Sequence, residues 1–168
     1  VLPVARLTEE AGVVVVPASS DVKTWKDLEA KLKANPGAVA VGGGSAGGTD
    51  HIALGLILKA LGRNPREASY VAFAGGGPAN AAGISGYSQF AEQIKAGRMR
   101  ALATTGEKRI EGTDIPTLKE LGLDVVATNW RGVFAPPGIT DAQLKALIDL
   151  MTAVHATPQW QEILKQRA

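Results

Sequence analysis

The residues that point most directly to chemistry lie in one glycine-rich run, GGGSAGGTDH, at positions 42–51. A short β-prone segment (38–41) precedes the run, and an apolar segment (52–61) follows it. This order predicts a strand, a glycine-rich turn and a helix start, which together direct several backbone N–H groups at one place. The helix dipole adds partial positive charge there, and the hydroxyls of Ser45 and Thr49 add donors. The pattern predicts an anion site whose ligand is a carboxylate or a phosphate.

A dinucleotide site is the first alternative, because Gly42, Gly44 and Gly47 fit the pattern G-x-G-x-x-G. That fingerprint requires an acidic residue at the end of the following strand. Residues 71–74 are Val-Ala-Phe-Ala, which contain no carboxylate. A P-loop is excluded because no Lys followed by Ser or Thr comes after the glycines.

Other polar residues give weaker signals. The two histidines, His51 and His155, do not form a spaced set of metal ligands, so we expect no metal site. Asp50 is expected to stabilise the first helical turn, with His51 packing or hydrogen bonding nearby. Ser85 stands in GISGY, whose second glycine comes one place too early for G-x-S-x-G, so a helix N-cap or a ligand hydroxyl is expected instead. Arg131 either pairs with a ligand carboxylate or forms a structural ion pair.

Composition limits the class of protein. Of 168 residues, 45% are hydrophobic and 20% charged, as in ordinary globular domains. The net charge of +2, with scattered Lys and Arg and few aromatics, argues against a nucleic-acid partner. The chain has no cysteine, which excludes disulfides, thiolate metal sites and cysteine nucleophiles. No apolar run reaches the ~18 residues of a transmembrane helix, so no direct membrane insertion is predicted.

Strands and helices are predicted to alternate along the chain. Strands are expected at 12–18, 38–41, 69–74, 100–104, 123–127 and 130–135. Helices are expected at 25–34, 49–61, 88–96 and 116–121, from Pro78, and after the start signals at Thr140 and Pro158. This alternation predicts an α/β fold with a largely parallel sheet, in which ligands bind at the carboxyl ends of strands. The second glycine-rich turn, 75–77, follows such a strand and could converge with the first.

Apolar residues are concentrated on three helices, of which the helix from Thr49 is expected to be covered. The helix from Thr49 is apolar on nearly every side. In the last two helices, apolar residues recur at helical spacing, with Trp160, Ile163 and Leu164 facing inward in the final one.

Five stretches, in order, carry a family resemblance: GGSAGGTDH (43–51), YVAFAGGG (70–77), SGYSQF with IKAGRMRALA (85–90 and 94–103), PTLKE (116–120) and NWRGVFAPPG (129–138). They resemble the tripartite tricarboxylate transporter solute receptors, the Bug or TctC type of periplasmic binding protein. The likeness covers most of the chain.

The resemblance implies a two-lobed, type II-like periplasmic receptor with mostly parallel sheets and one lobe incomplete in this chain. Such a receptor captures a small carboxylate and hands it to the membrane permease of the transporter. It has no enzymatic step, no metal and no cofactor.

The resemblance also implies which residues face the ligand: Ser45, Ala46, Gly47, Gly48, Thr49, Asp50, Gly75, Gly76, Gly77, Ser85 and Tyr87. The role of Asp50 stays open between helix start and ligand contact. Residues 18–128 would form the ligand-binding lobe. Residues 1–17 and 129–168 would form crossing strands and part of the second lobe.

Departures from the family pattern leave alternatives. The chain is expected to lack the family's opening segment and its last stretch. It is also short between Gly77 and Ser85, which suggests residues omitted near Ala82–Gly83. An α/β enzyme that binds a nucleotide or phosphoester at 42–47 and a carboxylate-sensing module are the other interpretations.

Overall fold

A computed structural model describes residues 1–73 and 81–167 of the chain. Six strands and five helices alternate over most of it, which confirms the α/β class. The strands are β1 (Leu2–Pro17), β2 (Ala40–Gly43), β3 (Ser69–Ala72), β4 (Ala82–Gly86), β5 (Met99–Thr104) and β6 (Thr128–Ala135). The helices are α1 (Trp25–Ala34), α2 (Thr49–Ala60), α3 (Tyr87–Lys95), α4 (Asp141–His155) and α5 (Pro158–Arg167).

The start of two helices follows from their capping residues. In α1, the Thr24 hydroxyl accepts from the Asp27 N–H and the Asp27 carboxylate accepts from the Thr24 N–H, the reciprocal capping box. Thr140 and Gln143 form the same arrangement before α4. Both boxes are where the sequence predicts them.

The strands form one mixed sheet in the order β3-β2-β4-β1-β5, with β6 pairing with β1. β2 is parallel to β3 and to β4, whereas β1 is antiparallel to β4 and to β5. β1 therefore runs against its neighbours, and the other four strands of the path share one direction. The prediction of a mostly parallel sheet is confirmed.

β1 is buried on both of its sides because helices cover both faces of this sheet. Val14 and Val16 pack with residues of α1 and α2, whereas Val13 and Val15 pack with Phe90 of α3. The period-two alternation of a strand places these two pairs on opposite faces. The first turns of α2 and α3 consequently approach the same sheet from different sides.

The chain divides into two compact units. The larger is Ala11–Asn129, and the smaller combines Val1–Glu10 with Trp130–Ala168. Residues 11–17 belong to the larger unit, where they pair with β4 and β5. The lobe expected at 18–128 stays a prediction.

Two local expectations are wrong, and one strand was not predicted. Ala82–Gly86 is a strand in the interior of the sheet. Its sequence carries no strand pattern, so this strand was not expected. Residues 116–121 form a bridge and turns instead of a helix, because Thr117 pairs with Thr104 at the end of β5. Residues 123–127 are not a strand, although Leu123 and Val125 are buried in alternation. The short helix expected from Pro78 lies outside the described residues.

Apolar side chains are exposed on α2, α4 and α5. On α2, Ile52 is 56% exposed and Leu56 39%, so this helix is covered on one side only. No residue of α4 is fully buried. In α5, Ile163 is 50% exposed, against the expectation that it faces inward. None of the described helices combines the length and the apolar character that crossing a membrane requires.

Candidate functional site

The predicted site lies at one edge of the sheet, where three parallel strands end side by side. β3, β2 and β4 are neighbours that run in the same direction, so their carboxyl ends meet at this edge. The glycine-rich loop 44–48 follows β2, and α3 follows β4 without an intervening residue. Gly75, Gly76 and Gly77, which follow β3, lie outside the described residues. This edge is where α/β sheets bind ligands.

The loop 44–48 ends in a helix start that has no side-chain cap. Gly47 has a φ of +78°, and the Gly48 N–H donates to the Ser45 carbonyl at 2.9 Å, which closes a tight turn. Gly48 is the N-cap of α2 and supplies no side-chain hydrogen bond. The N–H groups of the first helical turn have no intrahelical acceptor and remain for a ligand or for water. Ser45, Ala46 and Thr49 are exposed at this point.

The hydroxyls of Ser45 and Thr49 form no side-chain hydrogen bond with any described part of the chain. Both are therefore available as donors to an anion held at the start of α2.

Asp50 ties the start of α2 to the ends of two strands. Its Oδ2 accepts from the Gly44 N–H at 2.8 Å and from the Ser85 hydroxyl at 2.9 Å. Ser85 is not the N-cap of α3, since Gly86 takes that place without a side-chain bond. Because the Ser85 hydroxyl already donates its proton to Asp50, it is not a free donor for a carboxylate ligand.

His51 and Tyr70 also contact the loop 44–48. The Gly47 N–H donates to Nδ1 of His51 at 3.0 Å, and the Tyr70 hydroxyl donates to the Gly44 carbonyl at 2.9 Å. The two rings are stacked, with centroids 4.2 Å apart and planes 4° from parallel. Burial raises the pKa of Tyr70 to about 12, and the nearby charge of Asp50 acts in the same direction. Tyr70 was missed by the sequence analysis, where the available signal was one polar aromatic in an apolar strand before a glycine-rich turn.

Close approach explains two of the glycines. A Cβ on Gly43 would lie 2.5 Å from the Tyr70 hydroxyl oxygen and 2.6 Å from the Ile84 carbonyl oxygen. A Cβ on Gly44 would lie 3.0 Å from Oδ2 of Asp50. The loop therefore has this path because these positions carry no side chain.

Formal positive charge is absent from the site's own segments. Residues 42–51 and 82–87 contain no Lys or Arg, and Asp50 is the charged residue among them. These segments can attract an anion through backbone N–H groups, hydroxyls and helix dipoles.

Two further predicted residues have other surroundings. The Tyr87 ring packs against the apolar cluster formed by Val13, Val15, Phe90 and Ile115. Arg131, in the smaller unit, lies 4.0 Å from a carboxylate oxygen of Glu10, as the ion-pair alternative proposed. In the described part of the chain, no three His, Cys, Asp or Glu side chains cluster to hold a metal ion.

Two cavities of the larger unit lie at the opposite edge of the sheet. One, of about 300 Å³, is lined by residues that include Pro17 and Val39, at the end of β1 and just before β2. The other, of about 450 Å³, includes Met99 at the start of β5. The loop 44–48 lines neither of these two cavities.

Known proteins resemble this chain in sequence and in fold. The family model described as tripartite tricarboxylate transporter family receptor matches residues 1–168. A curated relative from Cupriavidus necator, a UPF0065 protein in the gbd 5' region, is 31% identical over 159 residues, which cover 90% of this chain and 48% of the relative.

Two solved structures share the fold. MatC from Rhodopseudomonas palustris, with bound malate, matches with a TM-score of 0.77 at 19% identity, over 99% of this chain and 62% of that one. An R. palustris protein solved with adipate matches with a TM-score of 0.78 at 21% identity, over 98% of this chain and 57% of that one.

The chain spans about half the length of the curated relatives it matches. The fold resemblance drawn from the sequence is confirmed. The matching family and structures are receptors for solutes and not enzymes, so the nucleotide-enzyme interpretation has no support from them. Since the family model matches the chain over its whole length, the chain belongs to the tripartite tricarboxylate transporter family of receptors.

Proposed function

We propose that this chain forms the carboxylate-binding part of a periplasmic solute receptor, which captures a small carboxylate and delivers it to a membrane permease. The observation that carries the proposal is the convergence of two helix starts. α2 and α3 follow adjacent parallel strands, and each has a glycine as N-cap without a side-chain cap. The first turn of α2 thus presents open N–H groups at the sheet edge where α3 also begins.

The binding residues in this proposal fall into two groups. The hydroxyls of Ser45 and Thr49 contact the ligand directly, together with the backbone N–H groups of Ser45, Ala46, Thr49, Asp50 and His51. The N–H groups of Gly47 and Gly48 already donate to His51 and to the Ser45 carbonyl. Asp50 and Ser85 act one step away, because they are hydrogen bonded to each other and to the loop. The backbone of Ala46, Gly47 and Gly48 forms the loop around the ligand. Gly75–Gly77 and Tyr87 are the remaining ligand-binding residues in this proposal. The surrounding lobe is 18–128 in this proposal.

The ligand class follows from the character of the donors. A site without Lys or Arg holds a carboxylate by neutral hydrogen bonds and helix dipoles, which suits a receptor that must release its ligand again. The Asp50 charge beside the loop disfavours a second negative group close to α2. A carboxylate whose other charge lies several bonds away fits this edge best, and the solved relatives with malate and adipate are in keeping with that class.

The proposal is tested by measuring binding to the protein that contains this chain. Thermal-shift and calorimetric titrations would use malate, adipate and citrate, with NAD⁺ and ATP in the same series. A ligand at 100 times its Kd raises the free energy of unfolding by about 2.7 kcal/mol, which is readily seen. Stabilisation by carboxylates alone supports the proposal. Stabilisation by the nucleotides alone would replace it with the dinucleotide interpretation.

Single-residue variants test whether the carboxylate binds at this edge of the sheet. Ser45→Ala and Thr49→Ala are each expected to weaken carboxylate binding about fivefold or more, the equivalent of roughly 1 kcal/mol, because each removes one hydrogen-bond donor. Ser19→Ala is the matched control, since Ser19 is exposed and lines the cavity at the opposite edge. Equal affinity in all three variants would remove Ser45 and Thr49 from the site.

A further inference from the structure

We propose that His51 and Tyr70 are positioning residues, which hold the loop 44–48 in its ligand-binding conformation and make that conformation depend on a neutral His51. The inference rests on the proposed function for its effect on ligand affinity. Its structural part, the hold on the loop, can be tested without any ligand.

The two side chains fix opposite ends of one short loop. Tyr70 donates to the carbonyl of Gly44 at 2.9 Å, and His51 accepts from the N–H of Gly47 at 3.0 Å. The rings stack on each other at 4.2 Å, so the two contacts form one connected unit from β3 through the loop to α2. Since Gly44 and Gly47 carry no side chains, these bonds replace the packing that would otherwise order the loop.

The geometry sets the protonation state of His51. A ring nitrogen that accepts a hydrogen bond carries no proton, so Nδ1 is bare and the proton of the neutral ring is on Nε2. A proton on Nδ1 would face the Gly47 N–H donor to donor, and this bond would be lost. Acidification therefore releases the Gly47 end of the loop.

The charged and titratable groups that face His51 are few. Asp50 is its neighbour on α2, and Tyr70 faces it from β3. The loop residues 44–48 contain no titratable side chain. Histidine is the side-chain type that changes charge between pH 5 and 8. The variants described next separate His51 from His155, the other histidine of the chain.

A positioning role and a simple charge role predict opposite signs. If His51 acted through charge, its protonation would add a positive group beside an anion site and strengthen carboxylate binding at low pH. If it acts by holding Gly47, protonation disorders the loop and weakens binding. Linkage allows a loss of up to tenfold in affinity per pH unit for one coupled proton.

The first experiment measures the affinity for malate from pH 8 to pH 5.5 in four forms of the protein. They are the wild type, His51→Asn, His51→Ala and His155→Asn. Asparagine can accept the Gly47 bond through its side-chain oxygen but does not titrate. The titration of malate itself is common to all four forms.

The expected result has a distinct pattern. Relative to His51→Asn, wild-type affinity falls at least fivefold between pH 8 and pH 5.5. His51→Asn keeps near wild-type affinity at pH 8, and His51→Ala binds several-fold more weakly throughout. His155→Asn follows the wild type, because His155 lies on α4 in the smaller unit. If His51→Asn has the wild-type pH profile while the wild type binds malate, the inference is wrong and the proposed function stands.

The second experiment needs no ligand. Amide hydrogen exchange by NMR gives the protection factor of Gly47, which should drop as the His51 ring protonates and should stay constant in His51→Asn. Tyr70→Phe keeps the ring stack but loses the bond to Gly44, so it should lower the protection of the loop in part. Thr152→Val, which removes an exposed hydroxyl on α4, is the control. Gly47 protection that is independent of pH in the wild type would overturn the inference even if no carboxylate bound.

Discussion

The Ser85 hydroxyl donates to a carboxylate oxygen of Asp50 at 2.9 Å, and the same oxygen accepts from the Gly44 N–H at 2.8 Å. One acidic side chain thereby joins the end of β2, the end of β4 and the first turn of α2. Its position two residues into a helix also stabilises the helix dipole. The following variants test this arrangement and its surroundings.

Asp50→Ala should lower the free energy of unfolding by about 2 kcal/mol, because two donors lose a partly buried acceptor. Ser85→Ala should cost about 1 kcal/mol. The double variant should cost clearly less than the sum, since both single changes break the same bond. Urea unfolding at pH 7 measures all three. Asp124→Ala is the control, because the Asp124 side chain is 95% exposed, and a change within 0.5 kcal/mol is expected. Strict additivity of Asp50 and Ser85 would show that their bond contributes nothing.

Tyr70, whose hydroxyl bonds to the loop at Gly44, should make the stability of the protein depend on alkaline pH. Its pKa is raised to about 12 in the folded protein, chiefly by burial and then by Asp50. An unfolded chain releases this proton near pH 10. The folded state therefore holds more protons between about pH 10 and 12, and stability falls as pH rises through that window.

Two measurements check this dependence. Absorbance at 295 nm in Tyr87→Phe should show Tyr70 ionising near pH 12. In Tyr70→Phe, part of the alkaline loss in the urea midpoint should disappear, whereas Tyr87→Phe should retain it. Ionisation of Tyr70 near pH 10 in the folded protein would contradict the prediction.

Glycine at position 43 is required by contacts and not by backbone angles. Gly43→Ala should destabilise the protein by about 1–3 kcal/mol, because the new methyl group meets the Ile84 carbonyl oxygen at 2.6 Å and the Tyr70 hydroxyl. Gly55→Ala is the matched control within α2, where the nearest atom, on Pro65, is 3.6 Å away. It should stabilise the helix by about 0.5–1 kcal/mol. Thermal unfolding of both variants should show shifts of opposite sign.

Thr105 is a buried hydrogen-bond junction in the larger unit. Its hydroxyl oxygen accepts from the Gly12 N–H at 2.9 Å, and the hydroxyl donates to the Ala127 carbonyl. Its own N–H donates to the Gly12 carbonyl, and its carbonyl accepts from the Ala127 N–H, both at 2.9 Å. Thr105 thus ties Gly12 to Ala127 within the larger unit.

Thr105→Val keeps the side-chain shape and removes the hydroxyl. The loss should be at least about 2 kcal/mol in the free energy of unfolding, since a buried N–H and a buried carbonyl lose a partner. Thr152→Val, whose hydroxyl bonds to a carbonyl of its own helix on an exposed face, should change stability by less than about 0.5 kcal/mol. Chemical denaturation separates these outcomes, and equal effects would show that the Thr105 junction is not a stability determinant.

Much of the fold could be predicted from the sequence, where the local signals were strong. The capping boxes at Thr24 and Thr140 and the buried valines of β1 are encoded within a few residues. The loop 44–48 was also identified, because a strand, glycines and an apolar helix follow one another directly.

The remaining features depend on partners that are distant in sequence. β4 is a strand because it lies between β1 and β2, and its own residues, Ala-Gly-Ile-Ser-Gly, carry little strand propensity. Leu123 and Val125 alternate as in a strand but have no neighbouring ladder. In the site, the pairing of Ser85 with Asp50 and the stack of His51 on Tyr70 join positions 35 and 19 residues apart, which no local pattern could reveal.

The position of β1 in the sheet has a consequence for biosynthesis. The four buried valines at 13–16 are translated before their partners, and four helices and strands are made between β1 and β4. Contacts such as that between Gly12 and Thr105 span 93 residues, so the interior of the sheet cannot close until the chain beyond β5 has been made. Until β4 and β5 have been made, the apolar segment 13–16 lacks its partners in the sheet, and the nascent chain has to be kept from pairing it with other molecules.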